Sequence, residues 1–414
     1  MRVGMLIGIG VVGMLLTAEG VWAQAFRYQP QSGTGAAQAN ALSAQADDPS
    51  AIHYNPAGMT QLSGVQFSST TQFVGASVSF RNAAGQTTSG DGGSTIALPP
   101  PSQLYLTANL GDLGSSALQG WSVGLGVTTP YALKSRYADT APFNTAVTSA
   151  AIPMIAIKPT VAYRVNNQLS FGVGADIYTF ASFLGDGHVE QRLSWPGGAG
   201  IPAGASVEFN GKGTAPGFNV SMLYSPLLNA DQQPIANIGL VYRSQAVMPL
   251  RGQMLVNGTA VADTRATLAL PQSWLAAVAI WPVRDRQREW KLEMDVEYVG
   301  WKSVNNTDIQ LSTGGTIPQP QHWKTVPVVS LGTEYKWIRP DSMPNWQVAA
   351  RAGYTYTQSQ IPDATFNPGT HSLNSHTIGT GIGLTCIQGG TFLGVIPCGR
   401  GSGTSWAPQS IGVD

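Results

Sequence analysis

The chain has 414 residues, and its 22 Lys+Arg balance its 22 Asp+Glu. A net charge near zero makes neither nucleic acid nor an acidic membrane surface an implied partner. Only 11% of residues are charged, against 49 glycines, where a soluble domain carries about 25% charge.

Residues 1–23 read as a cleavable leader. Arg2 is the basic start, 3–16 is a short apolar run, and Val21-Trp22-Ala23 offers the small residues that a signal peptidase reads. The run falls short of the roughly 20 residues that a spanning helix needs. The best later candidate, 150–162, is broken by Pro153, Lys158 and Pro159. An exported chain without spanning helices is periplasmic, secreted, or an outer-membrane barrel.

Residues 24–62 are rich in Ala, Gln, Ser and Gly, and carry Asp47-Asp48-Pro49 and Asn55-Pro56-Ala57-Gly58. Pro and Gly there predict short helices and turns. Such a segment ahead of a barrel is a natural plug, or hatch.

From 63 onward the pattern is that of strands. Residues 290–298 read Trp-Lys-Leu-Glu-Met-Asp-Val-Glu-Tyr, apolar and charged in strict alternation. In a strand the two sets face opposite ways. A row of four charges suits a water-filled interior, and the other face suits lipid, which predicts an all-β fold: a transmembrane antiparallel β-barrel. About twelve strands are expected, at 65–81, 95–109, 120–133, 150–164, 168–184, 214–224, 236–246, 264–281, 288–301, 325–337, 346–357 and 375–385. Compact turns alternate with long polar loops at 82–94, 185–212, 247–263 and 302–322, the former on the periplasmic side and the latter outside. A thirteenth strand starts near Ser410 and the chain stops at Asp414, not at an aromatic residue. The expectation is that the barrel of 63–414 lacks its last two strands. Cys386 and Cys398 are close in sequence, and an exported protein predicts a disulfide between them.

Several motifs follow one another in order. Residues 33–38, Ala46-Asp47-Asp48 and Asn55-Pro56-Ala57 come first. Gly124-Leu125-Gly126 leads to Pro130-Tyr131, and then come 159–164 and Val241-Tyr242-Arg243-Ser244. Leu270-Pro271, Asp295 with Trp301-Lys302-Ser303, and Arg351-Ala352-Gly353-Tyr354 complete the series. In this order they resemble the FadL/TodX-like family of long-chain fatty acid and hydrocarbon outer-membrane transporters. The resemblance implies a barrel of about fourteen strands plugged by the hatch. It implies passive uptake of a long-chain fatty acid or related hydrophobic compound: capture among outer loops, a lumenal pocket, and lateral exit beside the third strand. Asn55, Pro56 and Ala57 are then the hatch motif, and Thr129, Pro130 and Tyr131 the kink at the lateral opening. Pro130 removes a ladder N–H; the alternative is that it ends the strand at the outer rim.

Phe183, Leu184 and Trp195 in one loop, and Met248, Leu250 and Met254 in another, are candidate ligand contacts, because Met-rich apolar surfaces adapt to flexible ligands. Lumenal Arg243 could clamp a carboxylate; alternatively it joins an ion-pair network with Lys291, Glu293, Asp295, Glu297, Glu334, Lys336 and Arg351. The fifth strand has no Arg or Lys after Phe171, which leaves aromatic or alkane hydrocarbons as alternative substrates. No cofactor, metal or nucleic acid is expected. The expected partners are a hydrophobic small molecule, outer-membrane lipid and the barrel-assembly machinery, with the protein a monomer. A lipase-type outer-membrane enzyme is the competing class, but His53, His188, His322, His371 and His376 show no nucleophile-and-base context. His371 and His376 also lack a third metal ligand.

Overall fold

The computed structural model describes residues 5–9, 25–82, 84–91, 102–114, 116–181, 187–387, 390–392, 396–398 and 410–414. It is an antiparallel β-barrel. Twelve strands neighbour one another in chain order: Val65–Thr70, Gln103–Asn109, Trp121–Tyr137, Ser149–Arg164, Leu169–Phe180, Thr214–Leu228, Pro234–Arg243, Ser273–Arg284, Arg288–Val299, Val326–Ile338, Trp346–Thr357 and Ser375–Cys386. Ile411–Val413 pairs antiparallel with the twelfth. Met5–Ile9 runs parallel to the first strand and to Ile411–Val413.

Alternation decides which side each residue faces. In the ninth strand Met294 and Tyr298 are exposed to the exterior, while Lys291, Glu293, Asp295 and Glu297 are buried on the lumen side. Near the outer rim Phe218, Tyr242 and Trp274 form an aromatic row, with Tyr242 and Trp274 ring centroids 4.4 Å apart and Phe218 and Tyr242 5.9 Å apart. Aromatic girdles of this kind mark the membrane interface of outer-membrane barrels.

Three expectations need correction. The stretch 264–281 is two strands: Thr259–Leu270 ends before Pro271, which has no N–H for a ladder, and Ser273–Arg284 returns to the barrel. The supposed loop at 247–263 is mostly a hairpin, Ala246–Val256 against Thr259–Leu270. It extends the seventh and eighth strands above the membrane and pairs with Ser206–Gly211, itself a hairpin partner of Val189–Ser194. The first strand stops at Thr70, and Ser77–Arg81 pairs instead with Thr87–Asp91.

Cys386 and Cys398 are disulfide-bonded and buried with Phe392 and Ile411. Phe183 and Leu184 lie outside the described residues.

Candidate functional site

The hatch is built from short capped turns. Ser32 caps Gly33–Ala37 by accepting from the Gly35 N–H at 2.9 Å. Asn55 caps the 3-10 turn Pro56–Gln61, where Pro56 suits the first helical position. Its side chain accepts from the Ala57 N–H at 3.2 Å. Its amide donates to the Ser43 carbonyl at 2.8 Å and across to the Met222 carbonyl of the sixth strand at 3.2 Å. The Ala57 N–H also meets Ser221 Oγ at 2.9 Å. One Asn therefore joins two hatch turns to the barrel wall.

Lumenal glycines let the plug come this close. A Cβ at Gly353 would strike the Gln38 backbone, and one at Gly172 the backbone of Pro56 and Ala57.

The charged row of the ninth strand is not bathed in water, as alternation alone suggested; the hatch covers it. The Ser43 N–H donates to Asp295 at 3.1 Å, and the Ala44 N–H to Glu293 at 2.6 Å. Lys291 bonds Glu293 at 2.8 Å and the Ala41 carbonyl at 3.2 Å. Gln45 donates to Glu334 at 2.7 Å, and Glu334 also holds Lys336 at 3.0 Å and Arg351 at 2.6 Å. Lys336 reaches the hatch Asp47 at 3.0 Å. Buried charges are tolerated only when paired and hydrogen-bonded, and hatch backbone supplies the missing partners.

The adjacent hatch carboxylates diverge. Burial pushes the Asp48 carboxyl up to about 6, with Ser50 hydrogen bonds opposing. Burial also acts to raise Asp47, but Lys336 draws it below the usual carboxylate range. Burial and the cations Arg243, Lys158 and Arg27 hold His53 well below its ordinary value.

Above this cradle Phe26 divides the lumen. Its ring meets Trp301 edge-on at 5.2 Å, with Tyr131 and Trp323 each at 5.8 Å. Below it is a small polar chamber bordered by Arg27, His53, Tyr54, Arg243, Asp295 and Glu297. Arg27 forks onto both oxygens of Glu297 at 2.8 Å. Arg243 donates to the His53 carbonyl and lies 3.5 Å from Asp176, which holds Lys158 at 2.5 Å. Arg243 thus sits in an ion-pair network with Asp176 and Lys158, and not with the expected Lys291, Glu293, Asp295, Glu297, Glu334, Lys336 and Arg351.

Above Phe26 is an apolar pocket. Its walls include Leu133, Ile152, Val189, Phe209, Leu250, Leu268, Val304, Ile309 and Trp323, with several Thr and Gln side chains. Among the described residues that line it, Glu190 is the charged one; its side chain shares a face with Arg192 and Glu208, away from Val189 and Phe209, and Arg192 bonds it at 3.2 Å. The Trp323 indole N–H and the Gln321 amide oxygen are buried without hydrogen-bond partners.

Of the predicted contacts, Leu250 borders this pocket and Met248 is buried in the apolar cluster beside it. Met254 and Trp195 belong to a second cluster with Phe209 and Ile309. Sequence reasoning missed Phe26, Trp323 and Leu268. Trp301-Lys302-Ser303 is among the ordered motifs, and the aromatic Trp323 that follows it is the signal available in the sequence.

The third strand carries a bulge at Thr129-Pro130. Thr128 opposes Ala156 and Tyr131 opposes Met154, so two residues face one. The strand continues to Tyr137 rather than ending at Pro130. Its pairing with the second strand stops at Val127, and pairing with Asp91 begins at Arg136. Between them, among the described residues, that edge meets the start of the hatch. The Tyr28 N–H donates to the Pro130 carbonyl at 2.9 Å, and the Ala132 N–H to the Phe26 carbonyl at 2.8 Å. Gln31 bonds both backbone groups of Thr129, at 3.1 and 3.2 Å.

An apolar exterior, a plug wired into the lumen and an apolar pocket above it define a plugged outer-membrane transport barrel. The model of the outer membrane protein transport protein family (OMPP1/FadL/TodX) matches residues 14–381, and the chain belongs to that family. It is 23% identical over 391 residues to the long-chain fatty acid transport protein of Escherichia coli K12, covering 85% of this chain and 82% of that protein. Among solved structures it resembles a Pseudomonas aeruginosa FadL homologue, with TM-score 0.62, 18% identity and 87% of each chain covered. It also resembles the Ralstonia pickettii toluene transporter TbuX, with TM-score 0.56, 14% identity, and 88% of this chain and 91% of that one covered.

Proposed function

We propose that this barrel takes up uncharged hydrophobic compounds, of the arene or alkane class, through the pocket above Phe26. The observation that carries the reading is the pocket wall: mostly apolar and, among the described residues, without a cation. An ionised carboxylate there would find no cation among the described lining residues, whereas apolar surface gains about 25 cal/mol per Å² on leaving water. The unpartnered Trp323 N–H and Gln321 oxygen suit water or a neutral polar substituent.

Release is sideways, past the third-strand bulge. There the hatch start holds the edge by a few backbone bonds that can be broken without unpairing barrel strands. A lateral path spares an apolar solute the aqueous chamber beneath. Outer-hairpin residues near Met254 and Trp195 make first contact. Export through a cleavable leader at 1–23, whose removal would take the Met5–Ile9 strand with it, insertion by the barrel-assembly machinery and action as a monomer belong to the same reading.

A second reading, ionised long-chain fatty acids, is favoured by Arg27 and Arg243 directly below Phe26. It requires one of them to leave its present partner. Proteoliposomes holding the purified protein separate the two. Toluene or alkane entry above protein-free liposomes, with little oleate entry, is the expected result. Oleate entry alone would favour the second reading, and no acceleration of either would sink both.

A further inference from the structure

The outer hairpins carry a row of cations with no internal partner. Lys212 and Arg251 form a mutual backbone pair, each N–H donating to the other's carbonyl at 3.0 Å. Arg251 lies opposite Arg265 on the next strand. Since Arg251 directs its backbone bonds at Lys212, its pairing with Arg265 is the non-hydrogen-bonded kind, with Cα atoms only about 4.5 Å apart. Like charges directly opposite one another destabilise a sheet. Yet all three side chains are exposed, and none makes an ion pair or hydrogen bond. The contrast lies close by: Arg192 on the adjoining hairpin bonds both Glu190 and Glu208, at 3.2 and 3.0 Å. Asp263, two residues from Arg265 on the same face, forms no ion pair with it.

The face that carries this row is known from its neighbours. Buried Gly211 and Thr264 and half-buried Leu250 and Ala266 alternate with exposed Lys212, Arg251 and Arg265, so these three point outward. That outward face is continuous with the lipid-facing wall. Thr214, Pro216 and Phe218 continue the Lys212 column downward, all exposed, and exposed Val247 lies below Arg251. Six residues separate Lys212 from Phe218 of the aromatic row, which is roughly 20 Å along the strand and about 15 Å along the membrane normal at the usual tilt.

We propose that Lys212, Arg251 and Arg265 bind the phosphorylated sugar headgroup of an anionic glycolipid of the outer leaflet. A row of three cations outside the membrane, on a surface whose lower part already contacts acyl chains, matches phosphates borne above the chain boundary. Phosphate relieves the cross-strand repulsion, and Arg presents paired donors to its oxygens. Bound lipid would brace the hairpins that form the pocket's outer wall.

The test uses the full-length protein in detergent, with lipopolysaccharide phosphorylated on its sugars as the probe. Native mass spectrometry should show a retained lipid adduct, and titration should give saturable binding that weakens in high salt. The triple variant Lys212→Gln, Arg251→Gln, Arg265→Gln should bind at least ~10-fold more weakly, about 1.4 kcal/mol. It should retain heat-modifiable gel mobility and the wild-type uptake rate. Enzymatically dephosphorylated lipid should bind the wild type no better than phosphorylated lipid binds the variant. Inorganic phosphate alone should not compete below molar levels. Equal binding by variant and wild type, or equal binding of dephosphorylated lipid, would overturn the proposal. Efficient competition by millimolar phosphate would replace the lipid with a free anion.

Discussion

The lumen's two halves are opposite in design. Below Phe26, Lys291, Glu293, Asp295, Glu297, Glu334, Lys336 and Arg351 all engage the hatch or one another. Above it, the described pocket wall offers mostly Leu, Ile, Val and aromatic groups, and no cation among the described residues. The same alternation of inward and outward residues builds both. In the lower half hatch backbone, not water, completes the charged groups, so the plug is held by directional bonds. In the upper half the walls are mainly apolar side chains, whose packing is non-directional. Phe26 and Arg27, neighbours in the chain, point one into each half.

Glu293→Ala should produce the largest effect. It leaves Lys291 buried, 1% exposed, without its carboxylate, at a cost of about 3–5 kcal/mol. Protease cleavage within 25–62 should become fast while the barrel remains folded. A hatch as resistant as wild type would mean that the lower half is not held this way.

Leu268→Glu addresses the upper half alone. A carboxylate in the apolar wall has no partner, and uptake of a neutral hydrocarbon should fall at least ~10-fold. Hatch resistance to protease should not change. If hatch cleavage rose in parallel with lost uptake, the two halves would not be separable.

Asn55→Ala removes the cap of Pro56–Gln61 and two ties to carbonyls, one of them on the sixth strand. The cap alone is worth about 1 kcal/mol. Slower uptake with normal barrel assembly is expected, and hydrogen exchange at Ala57 should accelerate. Unchanged exchange would remove Asn55 from the seating of the plug.

The smallest effects concern pH. Asp48, raised to about 6, binds its proton more tightly in the seated hatch than in the unfolded chain. It favours seating at low pH, and that contribution is lost as pH rises from about 4 through 6. Asp47, held below its usual range by Lys336, contributes stability above the unfolded carboxylate range that is lost as pH falls. Asp48→Asn should therefore improve hatch resistance near pH 7, and Asp47→Asn should weaken it there. Protease sensitivity across pH 4 to 8 that moves the same way in both variants would show that the two carboxylates do not act oppositely.

Much of the barrel was legible because strand alternation is a local signal. The eleventh strand, expected at 346–357, spans Trp346–Thr357 as observed. Boundaries failed where pairing changed partners. The run 264–281 is largely apolar and β-prone, and Pro271 marks the point where an outer hairpin gives way to a barrel strand. The candidate pocket was less legible. Leu250 was among the expected contacts, but Phe26 belongs to the hatch and carries no periodic signal.

By itself the sequence determined the two-faced strands, the lumenal glycines and a hatch ahead of the barrel, since each depends on residue type at short, fixed spacing. Tertiary structure alone decided what those faces meet. Arg27 forks onto Glu297 across 270 positions of chain, and Gln45 reaches Glu334 across 289. No periodicity encodes such partners, because they are set by where the barrel's curvature brings its wall against the plug. The charges of 290–298 therefore read as a wet face in sequence, but in the fold they are the seat of the hatch.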